Sequence, residues 1–329
     1  MIFLRQLGSR SCHLFSFSDY VNLDEISLAL DPPRRCDYAF VSHGHSDHVA
    51  RHPAGLASPA TVALVQRRYK SSGLTPLDFG ETRLRGNHRL WLVPAGHVLG
   101  AAQLVVDRPD GRRLIYTGDF SMRPRLTVPA ATPVQTDVLI MECTYGSPRY
   151  VFPPDDEICA RIRFFVERAL DDGVTPVLLG YSLGKAQEAM ALINRLGYPV
   201  IVHPTIAELA DVYQRFGVEI GSYQVLNGPV SPGHVLIAPP SARRDRLPAH
   251  CRTLYLSGWA LDHSTVYRLG VDEAVPLSDH ADFSELIRFV EAVQPSHIYT
   301  THGPPSFADY LRRLGFNAQP LGEHQLALL

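Results

Sequence analysis

Nowhere in this 329-residue sequence do apolar residues run on for anything near the ~20 needed to span a bilayer as a helix. The start, Met1 to Gln6, also lacks a basic segment followed by a long apolar run, so no export signal is expected. Cysteine is scarce: Cys12, Cys36, Cys143, Cys159 and Cys251 are odd in number and never form a CxxC pair. Neither a disulfide framework nor a thiolate metal site is suggested, and a reducing cytoplasm is the expected setting. An excess of charge of one sign is missing too. With 31 Lys and Arg against 33 Asp and Glu, the formal net charge is -2, so only local basic patches or bound metals would draw a polyanion. Repeats and low-complexity tracts are absent. What remains, 45% hydrophobic and 19% charged, is the composition of a globular protein long enough for two domains.

Histidine is what the sequence has. In Ser42-His43-Gly44-His45-Ser46-Asp47-His48, three imidazoles and a carboxylate follow the apolar run Tyr38-Ala39-Phe40-Val41, which reads as a short buried strand. A bent loop there can aim His43 and His45 at one cation while Asp47 and His48 turn toward a second. Imidazole with carboxylate is the ligand set of zinc and other first-row divalent ions, whereas calcium and magnesium prefer oxygen shells. Asp31, at a strand end before Pro32-Pro33, reads equally as an acceptor orienting a ligand histidine or as a turn aspartate.

Further strand ends carry further candidates. Arg89–Val93 and Ala102–Val106 read as strands flanking Gly96-His97, and Arg112–Thr117 runs into Gly118-Asp119. A carboxylate has two oxygens for two cations, which makes Asp119 a natural shared ligand. Asp137–Met141 repeats the pattern and ends at Glu142. Pro59–Tyr69 has helical spacing, with Arg67, Arg68 and Lys70 read as a solvated helix end. From Ser147 to about Val275, strands and helices alternate (strands 175–179, 199–202, 235–238 and 253–256; helices 184–196 and 206–216), which predicts a small, mainly parallel sheet. Gly180-Tyr181-Ser182-Leu183-Gly184-Lys185 has three residues between its glycines, and Ala186 stands where a phosphate loop needs Ser or Thr. A nucleotide triphosphatase is therefore not expected, although Ser182, Lys185 and the helix start can still hold a substrate phosphate. Near the end, a strand over 274–277 leads to His280, a helix spans 283–293, a strand over 297–301 leads to His302, and a last helix spans 306–314.

Taken in order, His43-Gly44-His45-Ser46-Asp47-His48, Gly96-His97 and Gly118-Asp119 resemble the metallo-β-lactamase superfamily. Met141-Glu142-Cys143-Thr144-Tyr145-Gly146, Ser182-Leu183-Gly184-Lys185-Ala186-Gln187-Glu188, Ser278-Asp279-His280-Ala281-Asp282 and Thr301-His302-Gly303 narrow the resemblance to its β-CASP nucleases, most closely the bacterial DNA-ligase-associated exonucleases. The resemblance implies an α/β protein: an αββα sandwich over 1–146 and 276–329 and a small inserted α/β β-CASP domain over 147–275. It implies two divalent ions, zinc with manganese as the alternative, one on His43, His45, His97 and Asp119 and the other on Asp47, His48, Asp119 and His302. Asp47, Glu142 and His280 would be the catalytic residues, with Glu142 holding His280 as general acid. The implied activity is a DNA exonuclease of repair leaving 5'-phosphate and 3'-hydroxyl ends, on single-stranded DNA or DNA ends, beside a DNA ligase or helicase, with no membrane partner. Phosphate contacts would come from Lys185 and from arginines such as Arg243, Arg244 and Arg246. His302 agrees with RNA-processing members, which keeps RNA as the alternative substrate, and an inactive nucleic-acid-binding relative is the third reading.

Overall fold

Alternation along the strands sets the layers. The computed structural model describes residues 13–70, 73–242, 247–262, 264–322 and 326–328. Strands β1 (His13–Phe17), β2 (Val21–Leu23), β3 (Leu28–Leu30), β4 (Ala39–Phe40), β5 (Gly55–Ala57), β6 (Leu74–Pro76) and β20 (Leu326–Leu328) form one seven-stranded sheet, in the order β20-β1-β2-β3-β4-β5-β6. A second seven-stranded sheet has the order β19-β18-β11-β10-β9-β8-β7. Its members are β7 (Thr82–Arg85), β8 (His88–Pro94), β9 (Ala102–Asp107), β10 (Arg113–Tyr116), β11 (Val138–Glu142), β18 (His297–Thr301) and β19 (Ala318–Pro320).

Successive side chains of a strand face opposite ways, and the cores follow from that. Val138 and Ile140 of β11 join Phe15, Leu30, Phe40, Leu104 and Tyr116 between the two sheets. Leu139 and Met141 face the other way, onto α6 (Phe283–Val293) and α7 (Ser306–Arg313). On the far side of the first sheet, α1 (Pro59–Tyr69) buries Val65 against Ala39, Val41 and Ala57. The result is a helix, sheet, sheet, helix sandwich. Two of its helices begin where the sequence supplies caps: Ser58 Oγ accepts the Thr61 amide at 3.2 Å with Pro59 at the first turn of α1, and Asp282 and Glu285 cap α6 reciprocally.

The third sheet has six strands, in the order β14-β13-β15-β12-β16-β17, and every pair is parallel. These are β12 (Thr175–Leu179), β13 (Val200–Val202), β14 (Gln224–Val225), β15 (Val235–Ala238), β16 (Cys251–Leu256) and β17 (Glu273–Val275). Their continuous apolar runs suit a sheet covered on both faces. Leu178 lies on the helix side with α2 (Asp155–Asp171), α3 (Lys185–Arg195) and α4 (Pro204–Arg215), while Val177 and Leu179 lie on the other.

Two helices fall outside the sequence reading. The short α5 (Ser264–Leu269) buries Thr265 alone; α2 has the stronger signal, with acids at 155–157 after two prolines and Ile158, Ile162, Phe165, Val166 and Ala169 buried at helical spacing. Helix α4 starts at Pro204, earlier than the apolar spacing suggests, because proline fits the first turn behind the His203 cap. Among the described residues no helix is long and apolar enough to cross a membrane. The four described cysteines are free.

Candidate metal centre

Five strand ends of the sandwich and the turn after β17 open onto one place. His43, His45 and His48 follow β4, His97 lies between β8 and β9, Asp119 follows β10, Glu142 ends β11, His302 follows β18, and His280 precedes α6. The turn into Asp119 is sterically exacting. Gly118 has φ +55, and a Cβ there would lie 2.5 Å from the Ser42 side chain, so only glycine lets the two loops touch.

His43 Nε2 lies 3.1 Å from His45 Nδ1, which in turn lies 3.0 Å from His97 Nε2. Asp119 Oδ2 is 3.5 Å from His43 Nε2, 3.7 Å from His97 Nε2 and 3.4 Å from His48 Nε2. The other carboxylate oxygen, Oδ1, is 3.9 Å from His302 Nδ1. Asp119 therefore stands between two groups, His43, His45 and His97 on one side and His48 and His302 on the other. Asp47 is on the open edge, its side chain 78% exposed and Oδ2 3.8 Å from His48 Nε2.

The outer nitrogens decide what the inner ones carry. His97 Nδ1 faces the Asp279 carbonyl at 2.8 Å and His45 Nε2 the Leu183 carbonyl at 3.1 Å; a carbonyl only accepts, so both rings donate outward. Ser42 Oγ donates to Asp31 Oδ2 at 2.5 Å, which leaves it to accept from His43 Nδ1 at 3.0 Å. His48 Nδ1 donates to Asp31 Oδ2 at 2.9 Å. By this assignment of tautomers, His43 Nε2, His45 Nδ1 and His97 Nε2 turn bare lone pairs toward Asp119, and His48 Nε2 joins them when its ring is neutral. Crowded lone pairs and a carboxylate repel one another, and a divalent cation resolves that conflict. The donor set fits a divalent metal, which these residues could hold.

Protonation agrees. Burial pushes His43 well below the ordinary histidine value and His97 down to about 3, and it lowers His45 as well. These rings stay neutral, as ligands must. Burial also opposes charge on Asp119, yet His48 and His280 hold its carboxyl well below the usual range.

Asp31 serves more than a turn. Its oxygens accept the Ser42 amide at 2.6 Å and the Tyr116 hydroxyl at 3.0 Å, besides Ser42 Oγ and His48. Glu142 Oε1 accepts from His280 Nδ1 and from the Phe120 amide, each at 2.9 Å, and Thr144 Oγ1 donates to Oε2. His280 Nε2 is left 4.0 Å from Asp119 Oδ2. Burial works against charge on His280, but Glu142 and Asp119 outweigh it and its pKa is pushed up to about 9.

His45, Asp47, His48, Asp119, His280 and His302 line a cleft of about 860 Å³ whose walls include Arg68, Ser182, Tyr181 and Trp259. Ser182 stands on the wall. Lys185 is buried with its ammonium against Asp279, so its charge is neutralised before any phosphate arrives. Arg68, expected to be a solvated helix end, reaches into the wall and donates to the Gly44 carbonyl at 2.6 Å. Helical periodicity gives no view of a neighbour 24 residues away. Arg243, Arg244 and Arg246 lie outside the described residues.

Residues 271–320 match the family model of the Zn-dependent metallo-hydrolase RNA specificity domain. Over 321 residues the chain is 40% identical to a probable DNA ligase of Opitutus terrae, a match that takes in 95% of this chain and 31% of that protein. It is 26% identical over 309 residues to the 5' exonuclease Apollo of Gallus gallus, covering 86% of this chain and 62% of that one. The chain thus spans less than two thirds of either relative. A crystal structure of an Enterococcus faecalis protein of unknown function shares the fold, with a TM-score of 0.63 at 14% identity over 89% of this chain and 81% of that one. With this architecture and these relatives, the chain belongs to the β-CASP nuclease group of the metallo-β-lactamase superfamily.

Proposed function

We propose that this protein is a two-metal phosphodiesterase acting on nucleic acid, a DNA exonuclease of repair that leaves 5'-phosphate and 3'-hydroxyl ends. The observation that carries the reading is the set of imidazole lone pairs turned on Asp119 with the His280–Glu142 pair beside it, at the floor of one cleft. His43, His45, His97 and Asp119 would hold one ion, and Asp47, His48, Asp119 and His302 the other; zinc suits this donor set, with manganese the alternative. Bound there, two such ions supply an activated water near neutral pH and charge that stabilises the attacking and leaving oxygens of a phosphodiester.

The chain's own residues do the rest. Glu142, fixed by Phe120 and Thr144, holds His280 protonated and turns its Nε2 proton to the metal edge, where the leaving 3' oxygen needs it. Ser182 and Arg68, on the cleft wall, would contact backbone phosphates. Lys185 acts one step behind them: its partner Asp279 holds His97 through the backbone carbonyl. The domain division is proposed as a sandwich over 1–146 and 276–329 with the β-CASP unit over 147–275. Products with 5'-phosphate and 3'-hydroxyl ends are what a ligase joins, and the likeness to a probable DNA ligase supports a ligase partner, with a helicase the alternative.

RNA is the second reading, favoured by the description of the matched 271–320 domain. A time course with zinc or manganese on matched 5'- and 3'-labelled single-stranded DNA and RNA tests both. Mononucleotides from DNA with RNA spared support the repair exonuclease. Preferred RNA cleavage transfers the protein to RNA processing, and metal-loaded protein inert on both sinks the nuclease reading.

A further inference from the structure

We infer that Trp259, with Tyr181 on the same cleft, is a stacking platform for nucleobases of the bound strand, so that the enzyme grips unpaired strands through their bases as well as their phosphates. The inference rests on the proposed action on nucleic acid and goes beyond it by assigning the residues that select an unstacked strand.

Large aromatic side chains left in water are unusual beside a polar site, and here there are two. Trp259 is 41% exposed and Tyr181 53% exposed, and both line the cleft that holds His45, Asp119 and His280. Trp259 is held rigidly. Its ring rests on Tyr145 at 4.7 Å between centroids and on Tyr150 at 5.2 Å, and Tyr145 continues to His280 at 6.0 Å. Gly258 permits this approach, since a Cβ there would lie 2.4 Å from the Tyr145 hydroxyl. The backbone is pinned as well: Ser257 Oγ accepts the Trp259 amide at 3.3 Å, and the Trp259 carbonyl accepts from Thr265 Oγ1 at 3.0 Å. Tyr181 has the Lys185 ammonium 5.2 Å from its ring centroid. Each ring is thus supported by neighbours and still open to the cleft.

A π surface suits any base, because every base offers a face of its own. Such a platform binds without reading sequence and without contacting the 2'-hydroxyl, so it selects single strands over duplex and leaves the choice of DNA or RNA to other groups. Tyr181 and Trp259 are binding residues on this account, and the acid role of His280 does not depend on them.

The sequence contains two tryptophans, and Trp91 lies on β8 against Asp107 and Arg113. Trp91→Phe therefore leaves Trp259 as the only indole reporter. Metal-loaded protein with His280→Ala to slow cleavage is titrated with an end-labelled oligo-dT and with the same length of abasic strand, reading label anisotropy and tryptophan emission together. Oligo-dT should quench Trp259 and the abasic strand should not. Trp259→Leu should weaken oligo-dT binding by roughly 5- to 100-fold while leaving the abasic strand unchanged, and Trp259→Phe should restore most of the loss. Oligo-dT that binds in the anisotropy channel without quenching, and equally well with Trp259→Leu, overturns the inference and leaves the nuclease reading standing. Failure of the unsubstituted protein to bind any strand removes the nucleic-acid reading and this inference with it. The quench is read with Trp259 in place, so it decides even where Trp259→Leu folds poorly.

Discussion

His280 and Glu142 are where chemistry separates from metal holding. His280→Ala is expected to lower the turnover rate by about 10²- to 10⁴-fold with metal content unchanged by elemental analysis. The pH profile carries a sign that checks the assignment. A general acid must be protonated, and His280 without ions nearby titrates at about 9; cations at Asp119 repel its proton, so the rate falls as pH rises through a value at or below 9. Glu142→Gln removes the charge that raises His280, and its alkaline limb should move to lower pH; an unmoved limb sinks the pair. His97 gives a second test, on metal-free protein. Burial lowers its pKa from 6.5 to about 3, so between those values the unfolded chain binds more protons than the folded one. The stability of the neutral ring is complete above 6.5 and drains away as the pH falls toward about 3, which thermal melts in chelator will register. At this scale the histidines were legible because four potential ligands in six residues are hard to assemble by accident. Asp279 and Ser42 were not, since a carbonyl or hydroxyl that fixes a tautomer leaves no mark of its own in a sequence.

Loops and helix starts, rather than strands, decide whether those residues meet. The runs at 175–179, 235–238, 283–293 and 297–301 are readable because apolar spacing reports burial directly. The reach of Arg68 to Gly44 and of Leu183 to His45 is tertiary, and no local pattern contains it. Gly118→Ala tests the loop. The new Cβ displaces Ser42, which orients His43, so metal affinity should fall by about 10- to 100-fold by chelator competition, with the fold retained by circular dichroism. Lys185→Met tests the start of α3. If the ammonium serves as a strut, Asp279 is left buried and unpaired, and stability should drop by about 3 to 5 kcal/mol in urea melts. A raised KM at unchanged stability would instead return Lys185 to the role of phosphate ligand.

Across the whole molecule, the metal centre is also a joint. Its imidazoles come from the sandwich, but His45 is oriented by the Leu183 carbonyl, in the turn between β12 and α3 of the six-stranded unit, and His97 by the Asp279 carbonyl, which is paired through its side chain with Lys185 of α3. Metal binding therefore pulls on both units. Ions that bind only the folded state stabilise it by mass action, about 2.7 kcal/mol at one hundred times the dissociation constant. Chelation should accordingly lower the melting temperature, and zinc or manganese should restore it. The joint makes a sharper claim than the melting temperature does. Hydrogen exchange in chelator should rise at the metal loops and also across 181–187, a segment with no ligand of its own, while Leu139 and Ile140 in the middle of β11 stay protected. Exchange that rises only at the metal loops would mean that the six-stranded unit holds its edge of the cleft without help from the ions.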